Sequence, residues 1–238
     1  MAGMTSKVWE EMHNTRKYGE NLILFKDIFE DYLKKTSNKL CLEIGCYPGN
    51  YLAYITKKFG YGAAGIDYVA NTEKIVGKTL QANKIKKYLI YNENFLYWKS
   101  PKKYDLVCSF GFIEHFSGST SKKVFKKHID LMKSNGKLII DVPNPYYLYN
   151  LRLLFNKLYR QEHYIKIMKL NYFKKMAKKY KLKVLHLNYY GGFYLIDAIL
   201  NRLGINPNKF QWFRKLNNIF ISQFIIFVAE KSGVAVNV

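Results

Sequence analysis

Apolar and polar positions alternate along the chain in two registers. Short apolar runs closed by glycine, an acid or proline read as buried strands, and stretches with apolar residues three and four apart read as helices. Lys39–Gly45 (KLCLEIG) is the first strand, followed by a helical pattern from Asn50 to Phe59. Gly62–Asp67 (GAAGID) is the second, Thr72–Asn83 the next helix, and Tyr88–Tyr91 a third strand. Tyr104–Phe110 (YDLVCSF) is the fourth strand. Lys122–Lys133 is an amphipathic helix with Val124, Phe125, His128, Ile129 and Met132 on one side. Gly136–Val142 (GKLIIDV) is the fifth strand, stopped by Pro143 and Pro145. Strands without alternation, separated by helices, predict an α/β fold with a mainly parallel sheet covered on both faces.

The last third reads differently. Tyr172–Tyr180 places Phe173, Met176, Ala177 and Tyr180 at helical spacing, with Lys174, Lys175, Lys178 and Lys179 turned outward. Lys183–Tyr189 and Ile219–Ala229 read as strands, with a helix from Leu195 to Leu203 between them and Gly204 at its end. With only that helix intervening, these two strands are expected to pair antiparallel.

The composition leaves few broad classes open. At 238 residues with 49 % hydrophobic and 17 % aromatic side chains, the chain can bury a full core, which excludes charge-driven disorder. Cys41, Cys46 and Cys108 are too few and too scattered for a disulfide framework or a paired zinc site. Neither a signal peptide nor an unbroken apolar span is evident, so a soluble, reduced, cytoplasmic protein without a transmembrane segment is expected.

The net charge of +22 raises the question of a nucleic acid or an anionic membrane. The joint abundance of Lys, Asn, Ile, Tyr and Phe also matches what AT-rich codons produce. Distribution is more informative. Residues 1–150 carry 23 basic and 14 acidic side chains, a balance of +9. Residues 151–190 carry 11 basic and one acidic, a balance of +10, so the excess is regional.

Chemistry concentrates at the strand ends. In Leu42–Gly49 (LEIGCYPG) a strand ends in Glu43, turns at Gly45 through Cys46 and Tyr47, and reaches Gly49 at a helix start. Gly45 allows close backbone approach to a ligand, and a helix N-terminus offers unpaired N–H groups. The spacing is G-x-x-x-G rather than the G-x-G-x-x-G of pyrophosphate-binding turns, which leaves an adenosine-type ligand without a pyrophosphate. Asp67, with Tyr68 beside it, ends the second strand about 20 residues on, where an acid accepts bonds from ribose hydroxyls. Asn94 and Phe95 follow the third strand and offer an amide and a ring to a purine. Phe110, Gly111, Glu114 and His115 follow the fourth. In a doubly wound sheet these ends converge on one crevice.

With these residues the sequence resembles the class I S-adenosylmethionine-dependent methyltransferases. Leu42–Gly49 is similar to their glycine-rich first motif, Asp67 to their ribose-binding acid, and Asp105–Phe116 to their fourth-strand segment. Leu131–Asn144 (LMKSNGKLIIDVPN) looks like their fifth-strand turn and strand. The EIGC-x-PG and VPN wording is similar to bacterial methyltransferases of polysaccharide and secondary-metabolite clusters. The resemblance implies a Rossmann-like doubly wound sheet of about seven strands with an antiparallel last strand and a helical substrate cover. It implies S-adenosylmethionine as cofactor, held by Glu43, Gly45, Cys46, Tyr47, Gly49, Asp67, Tyr68, Asn94, Phe95, Phe110 and Gly111. It also implies one domain: residues 1–37 a helical lid, 38–145 the cofactor core, 146–170 and 193–218 substrate-side insertions, and 231–238 a tail. Two positions depart from the pattern. Tyr47 replaces the middle glycine of the first motif, and Gly111 replaces the first acid of the E-x-x-E-H segment that related enzymes use for a metal. One carboxylate and one imidazole make a poor magnesium site, so no metal is expected.

An oxygen nucleophile calls for a base that titrates near neutrality, which points to histidine. His115 at the end of the fourth strand and His163 in the basic segment are the candidates, while His128 and His186 read as packing residues. Tyr18, Glu114, Arg152 and Arg160 are expected to contact substrate; Trp9 and Phe25 also fall in the lid segment, where Phe25 reads equally as packing on the core with Leu22 and Phe29. The basic, aromatic insertions suit an anionic small-molecule or glycan-type acceptor, and also peripheral contact with an anionic membrane. RNA methylation is the competing enzyme reading, disfavoured because no separate RNA-binding domain is evident. A cofactor-binding protein without catalysis is the non-enzyme reading.

Overall fold

A computed structural model describes residues 23–147, 165–206 and 217–233. Helix α1 spans Lys26–Tyr32, strand β1 Leu40–Ile44, α2 Asn50–Phe59, β2 Gly62–Asp67, α3 Thr72–Ala82, β3 Tyr88–Asn92 and β4 Tyr104–Phe110. A single 3₁₀ turn, Ile113–His115, precedes α4 (Gly118–Asp130). Then come β5 (Met132–Pro143), α5 (Leu170–Lys179), β6 (Leu182–Tyr190), α6 (Gly192–Arg202) and β7 (Phe224–Lys231).

The seven strands form one sheet in the order β3-β2-β1-β4-β5-β7-β6. β1 pairs parallel with β2 and β4, and β3 and β5 extend the parallel part at either side. β7 lies antiparallel to both β5 and β6, in the arrangement the late strands predict. The sheet order reverses at β1, whose neighbours are β2 and β4, so the carboxyl ends of β1, β2 and β4 meet at a switch point.

Two cores sandwich this sheet. On one face α4 and α5 bury Val124, Phe125, Ile129, Phe173, Met176 and Ala177 against Leu42, Ile44, Leu138, Ile140 and Phe227. On the other, α1, α2 and α3 bury Phe25, Phe29, Leu52, Ile55, Val76 and Leu80 against Cys41, Cys108, Ile139 and Val228. Alternate residues of one strand serve opposite faces: Ile139 joins one core, Leu138 and Ile140 the other. Each fully buried Phe, Leu or Ile contributes roughly 1.5–3 kcal/mol of transfer free energy.

Three boundaries differ from the sequence expectation. α4 starts at Gly118 and ends at Asp130, so Met132 and Lys133 belong to β5. Tyr104 donates its N–H to the Leu131 carbonyl and pairs with Met132, with a register shift before Leu106. β7 starts at Phe224, because Asn218 Oδ1 accepts the N–H groups of Phe220 and Ile221 and holds Ile219–Ile221 in a turn. The last helix also starts earlier than the expected Leu195, since α6 begins at Gly192.

The lid expected over residues 1–37 falls partly outside the described residues, and Trp9 and Tyr18 are among those outside. Of its two readings, Phe25 takes the packing one. It is buried, stacked on Tyr51 and Phe110 with centroids 5.6 and 5.7 Å away, and edge-on to Tyr190 and Phe224. No helix among the described residues is long and apolar enough to cross a membrane.

Candidate active site

The loop after β1 is shaped by two glycines with positive φ, Gly45 (φ 74°) and Gly49 (φ 100°). A Cβ on Gly45 would stand 2.7 Å from the Phe112 ring, and one on Gly49 would stand 2.9 Å from Val76. Side chains at either position would therefore meet both backbone strain and a clash. Cys46 points inward and is fully buried. Its Sγ would lie 2.6 Å from a Cβ on Gly65, which explains that glycine in β2. The Gly45 and Cys46 N–H groups both donate to Ile66 O, at 2.8 and 3.2 Å, pinning the loop to the end of β2.

Asp67 ties the two loops together. Its Oδ2 accepts the Tyr47 N–H at 3.1 Å and its Oδ1 accepts the Val69 N–H at 3.1 Å. The Asn92 amide at the end of β3 donates to the carbonyls of Asp67 and Val69. Tyr47 enters this network through its main chain, so the tie is indifferent to the side chain that replaces the usual glycine. Glu43, at the end of β1, is buried, with one carboxylate oxygen bonded to the Leu52 N–H and Oε2 without a hydrogen-bond partner. Burial, and then the charge of Asp67, push its carboxyl well above the usual range.

A second carboxylate pair sits across the switch point. Gly111 (φ 61°) donates its N–H to Asp141 Oδ1 at 2.9 Å. Asp141 is buried on β5, and burial pushes its carboxyl up to about 7 against the opposing Gly111 bond. Glu114 in the 3₁₀ turn is also buried. Burial raises its carboxyl well above normal, Asp141 adds to this, and Oε2 has no hydrogen-bond partner. Its main-chain oxygen accepts the Lys166 N–H at 2.7 Å. His115 follows, half-buried, at the end of the same turn.

The remaining expected residues fall in three groups. Phe110 is turned to the α1–α2 face, where it stacks on Tyr51 at 4.2 Å. Phe95 is 5 % exposed and packs edge-on against Phe112 and His128, so it lies within the core and its ring does not line an open crevice. The Asn94 side chain accepts the Leu96 N–H at 2.9 Å and caps its own turn. Tyr68 is exposed at the end of β2, the one expected aromatic on the surface there. His163, Tyr18, Arg152 and Arg160 lie outside the described residues. His128 is fully buried, with Nδ1 at 2.8 Å from Val124 O and Nε2 at 3.1 Å from Ser109 Oγ, and burial lowers it to about 4.

Sequence reasoning passed over Asp141 as a site residue, though an acid inside the apolar run LIIDV was a visible signal. Glu43, Asp67, Glu114 and Asp141 together give the carboxyl edge of β1, β2, β4 and β5 an acidic floor.

A family model described as a methyltransferase domain matches residues 14–187. The chain belongs to the methyltransferase family. Comparison with curated proteins finds no match. Among solved structures, this methyltransferase resembles an O-methyltransferase family protein from Burkholderia thailandensis (13 % identity, TM-score 0.59). That match covers 83 % of this chain and 52 % of the other. Geranyl diphosphate C-methyltransferase from Streptomyces coelicolor A3(2) matches at 12 % identity and TM-score 0.62, over 86 % of this chain and 74 % of the other. Phosphoethanolamine N-methyltransferase 2 from Haemonchus contortus matches at 17 % and TM-score 0.62, over 86 % of this chain and 51 % of the other. The methyltransferase thus spans about half the length of two of these three, and at such identities the likeness is one of fold.

Proposed function

We propose that this methyltransferase moves a methyl group from S-adenosylmethionine to an oxygen of a small-molecule, sugar or glycan-linked acceptor, one that carries negative charge. The carrying observation is the Asp67 carboxylate, bridged by backbone N–H groups between the loops after β1 and β2, beside the buried and unpartnered Oε2 of Glu43. These residues fit the cofactor. Gly45 leaves a main chain without a Cβ where one would collide, Asp67 is an acceptor for ribose hydroxyls, and Glu43 is an acceptor for an ammonium group. When bound, the cofactor supplies an electrophilic methyl on a sulfonium. The Asp67 carboxylate, held by two backbone N–H groups, also favours a cationic ligand electrostatically. The structures of the Streptomyces coelicolor and Haemonchus contortus enzymes were determined with S-adenosyl-L-homocysteine and S-adenosyl-L-methionine, which supports the same ligand here.

The protein's part is to orient the acceptor and keep water out. His115 stands on the turn beside that floor, and as a neutral imidazole it can take the hydroxyl proton. His163 is the second base candidate, and Arg152 and Arg160 the candidate anchors for acceptor charge. The oxygen acceptor rests on this choice of base, since the three compared proteins are described as an O-methyltransferase family protein, a C-methyltransferase and an N-methyltransferase.

Two measurements test the reading. In calorimetry the chain binds S-adenosylmethionine, and Asp67→Ala weakens binding by at least about 10-fold. Absence of binding by the unaltered chain removes the proposal. In methyl transfer to a panel of hydroxyl, amine and carbon acceptors, a hydroxyl compound is turned over. There, His115→Gln or His163→Gln lowers kcat by about 100-fold with cofactor affinity intact. Near-normal kcat in both variants would sink the base assignment.

A further inference from the structure

The charge of this methyltransferase is divided unevenly between the two faces of its sheet. Helices α1, α2, α3 and α6 carry six basic residues (Lys26, Lys57, Lys58, Lys74, Lys78, Arg202) against five acidic ones (Asp27, Glu30, Asp31, Glu73, Asp197). Helices α4 and α5 carry eight lysines against Asp130 alone. A compositional bias toward lysine would load both faces alike, so composition does not account for the difference.

The two basic helices lie side by side. Phe125 of α4 packs against Tyr172, Phe173 and Tyr180 of the α5 region, with centroids 6.1 to 6.4 Å apart. That seam turns Lys122, Lys123 and Lys126 outward on α4, and Lys174, Lys175, Lys178 and Lys179 outward on α5. Among the described residues, only Lys126 of these has an acid in ion-pair range, Asp130 at 2.6 Å. Lys127, the eighth, is turned in and donates to the carbonyls of Phe95, Leu96 and Trp98. The positive charges also crowd one another. Burial and then Lys122 lower the Lys166 ammonium, and burial and then Lys103 lower that of Lys231. A surface that gathers like charge without counter-charge gains most from an anionic partner that spans it.

We propose that the α4–α5 face docks this methyltransferase on an anionic phospholipid bilayer. Among polyanions the face selects a charged plane over a nucleic acid. Every cation on the two helices is lysine, a compact point charge, and none is arginine, whose fork and flat face serve phosphate and base recognition. The aromatic rings between the helices, Tyr172 and Tyr180, are half-buried against Phe125 and offer no platform for stacked bases. Polybasic surfaces bind anionic leaflets through summed, individually weak contributions and need only many lysines on one side. Tyr97, 72 % exposed on the loop that Lys127 holds, adds an aromatic of the type favoured at a headgroup interface.

The test is co-sedimentation of the full chain with vesicles of phosphatidylcholine containing about 30 % phosphatidylserine, and with pure phosphatidylcholine, both at ~0.1 M salt. The mixed vesicles bind the chain and the neutral ones do not, and about 0.5 M salt releases it. Replacing Lys123, Lys174, Lys175 and Lys178 by Gln weakens binding on the order of 100-fold. Replacing Lys26, Lys57, Lys74 and Lys78 by Gln removes the same formal charge from the other face and leaves binding within about threefold. Equal loss in both variants would show that total charge, and no particular face, is responsible, and would overturn the proposal. So would equal binding to neutral vesicles, or tighter binding to single-stranded RNA than to mixed vesicles at the same salt. Circular dichroism melting of both variants guards against loss through unfolding.

Discussion

Asp141 is an acid placed where an apolar strand would otherwise be continuous, and its proton is the most informative one in the crevice. Its carboxyl titrates at about 7 in the folded chain because burial outweighs the Gly111 N–H bond, against about 3.9 when unfolded. Between those values the folded state holds a proton that the unfolded state has lost. Stability from this group is therefore whole below about pH 4 and declines as pH rises to 7, by up to roughly 4 kcal/mol. Asp141→Asn keeps an acceptor for Gly111 and removes the titration. The variant should melt above the unaltered chain at pH 8 and close to it at about pH 4. A gap that does not change across that range means that Asp141 ionises normally. Residues at this scale were partly legible. Glu43 and Asp67 stand at strand ends and Gly45 and Gly111 in the turns that follow, since a strand end, a turn glycine and a following acid are local patterns. Phe110 and Phe95 were not legible, since which side of the sheet a ring enters is fixed by register with neighbours far away in sequence.

Elements were more legible than individual contacts. Each described strand and each helix from α2 onward lies where periodicity places it, because buried parallel strands and amphipathic helices write their patterns directly into sequence. The displaced start of β7 has a side-chain cause, Asn218 holding a turn where β-prone residues continue. Helix α4 shows how one polar residue can link two elements. His128 joins it to β4 through Ser109 and titrates at about 4, since burial disfavours its charged form. From pH 6.5 down to about 4 the unfolded chain takes up a proton that the folded chain refuses, so stability falls with acidification by roughly 3 kcal/mol. In His128→Gln that part of the acid sensitivity should vanish, with the amide reaching Ser109 or the Val124 carbonyl. Urea midpoints at pH 4.5 and 7 measure it. A variant with the same pH slope as the unaltered chain would place His128 outside the acid transition.

For the whole molecule, +22 is a self-repulsion as well as a means of attraction. The described residues contain three ion pairs, Lys58–Glu30, Lys126–Asp130 and Lys133–Asp105, of which the first two are half-exposed on both sides. Exposed pairs contribute at most about 1 kcal/mol each, and salt weakens them along with the repulsion. Only in Lys133–Asp105 is one partner largely covered. There burial pushes the Asp105 carboxyl up, yet the Lys133 hydrogen bond and the Leu40 N–H bring it below its usual value overall. Lysines crowding α4 and α5 far outnumber these attractions, so screening should remove more repulsion than attraction. The melting temperature is expected to rise between about 0.01 and 0.2 M potassium chloride, by ~2–4 °C for each kcal/mol of repulsion relieved. Reversing a few of the α4–α5 lysines should flatten the rise, whereas the same change on α1–α3 should flatten it less, because acids already stand among those lysines. A melting temperature that falls with salt would mean that the few ion pairs outweigh the excess of lysine. The lysine face would then be held apart well enough in the free protein to need no anionic partner for relief.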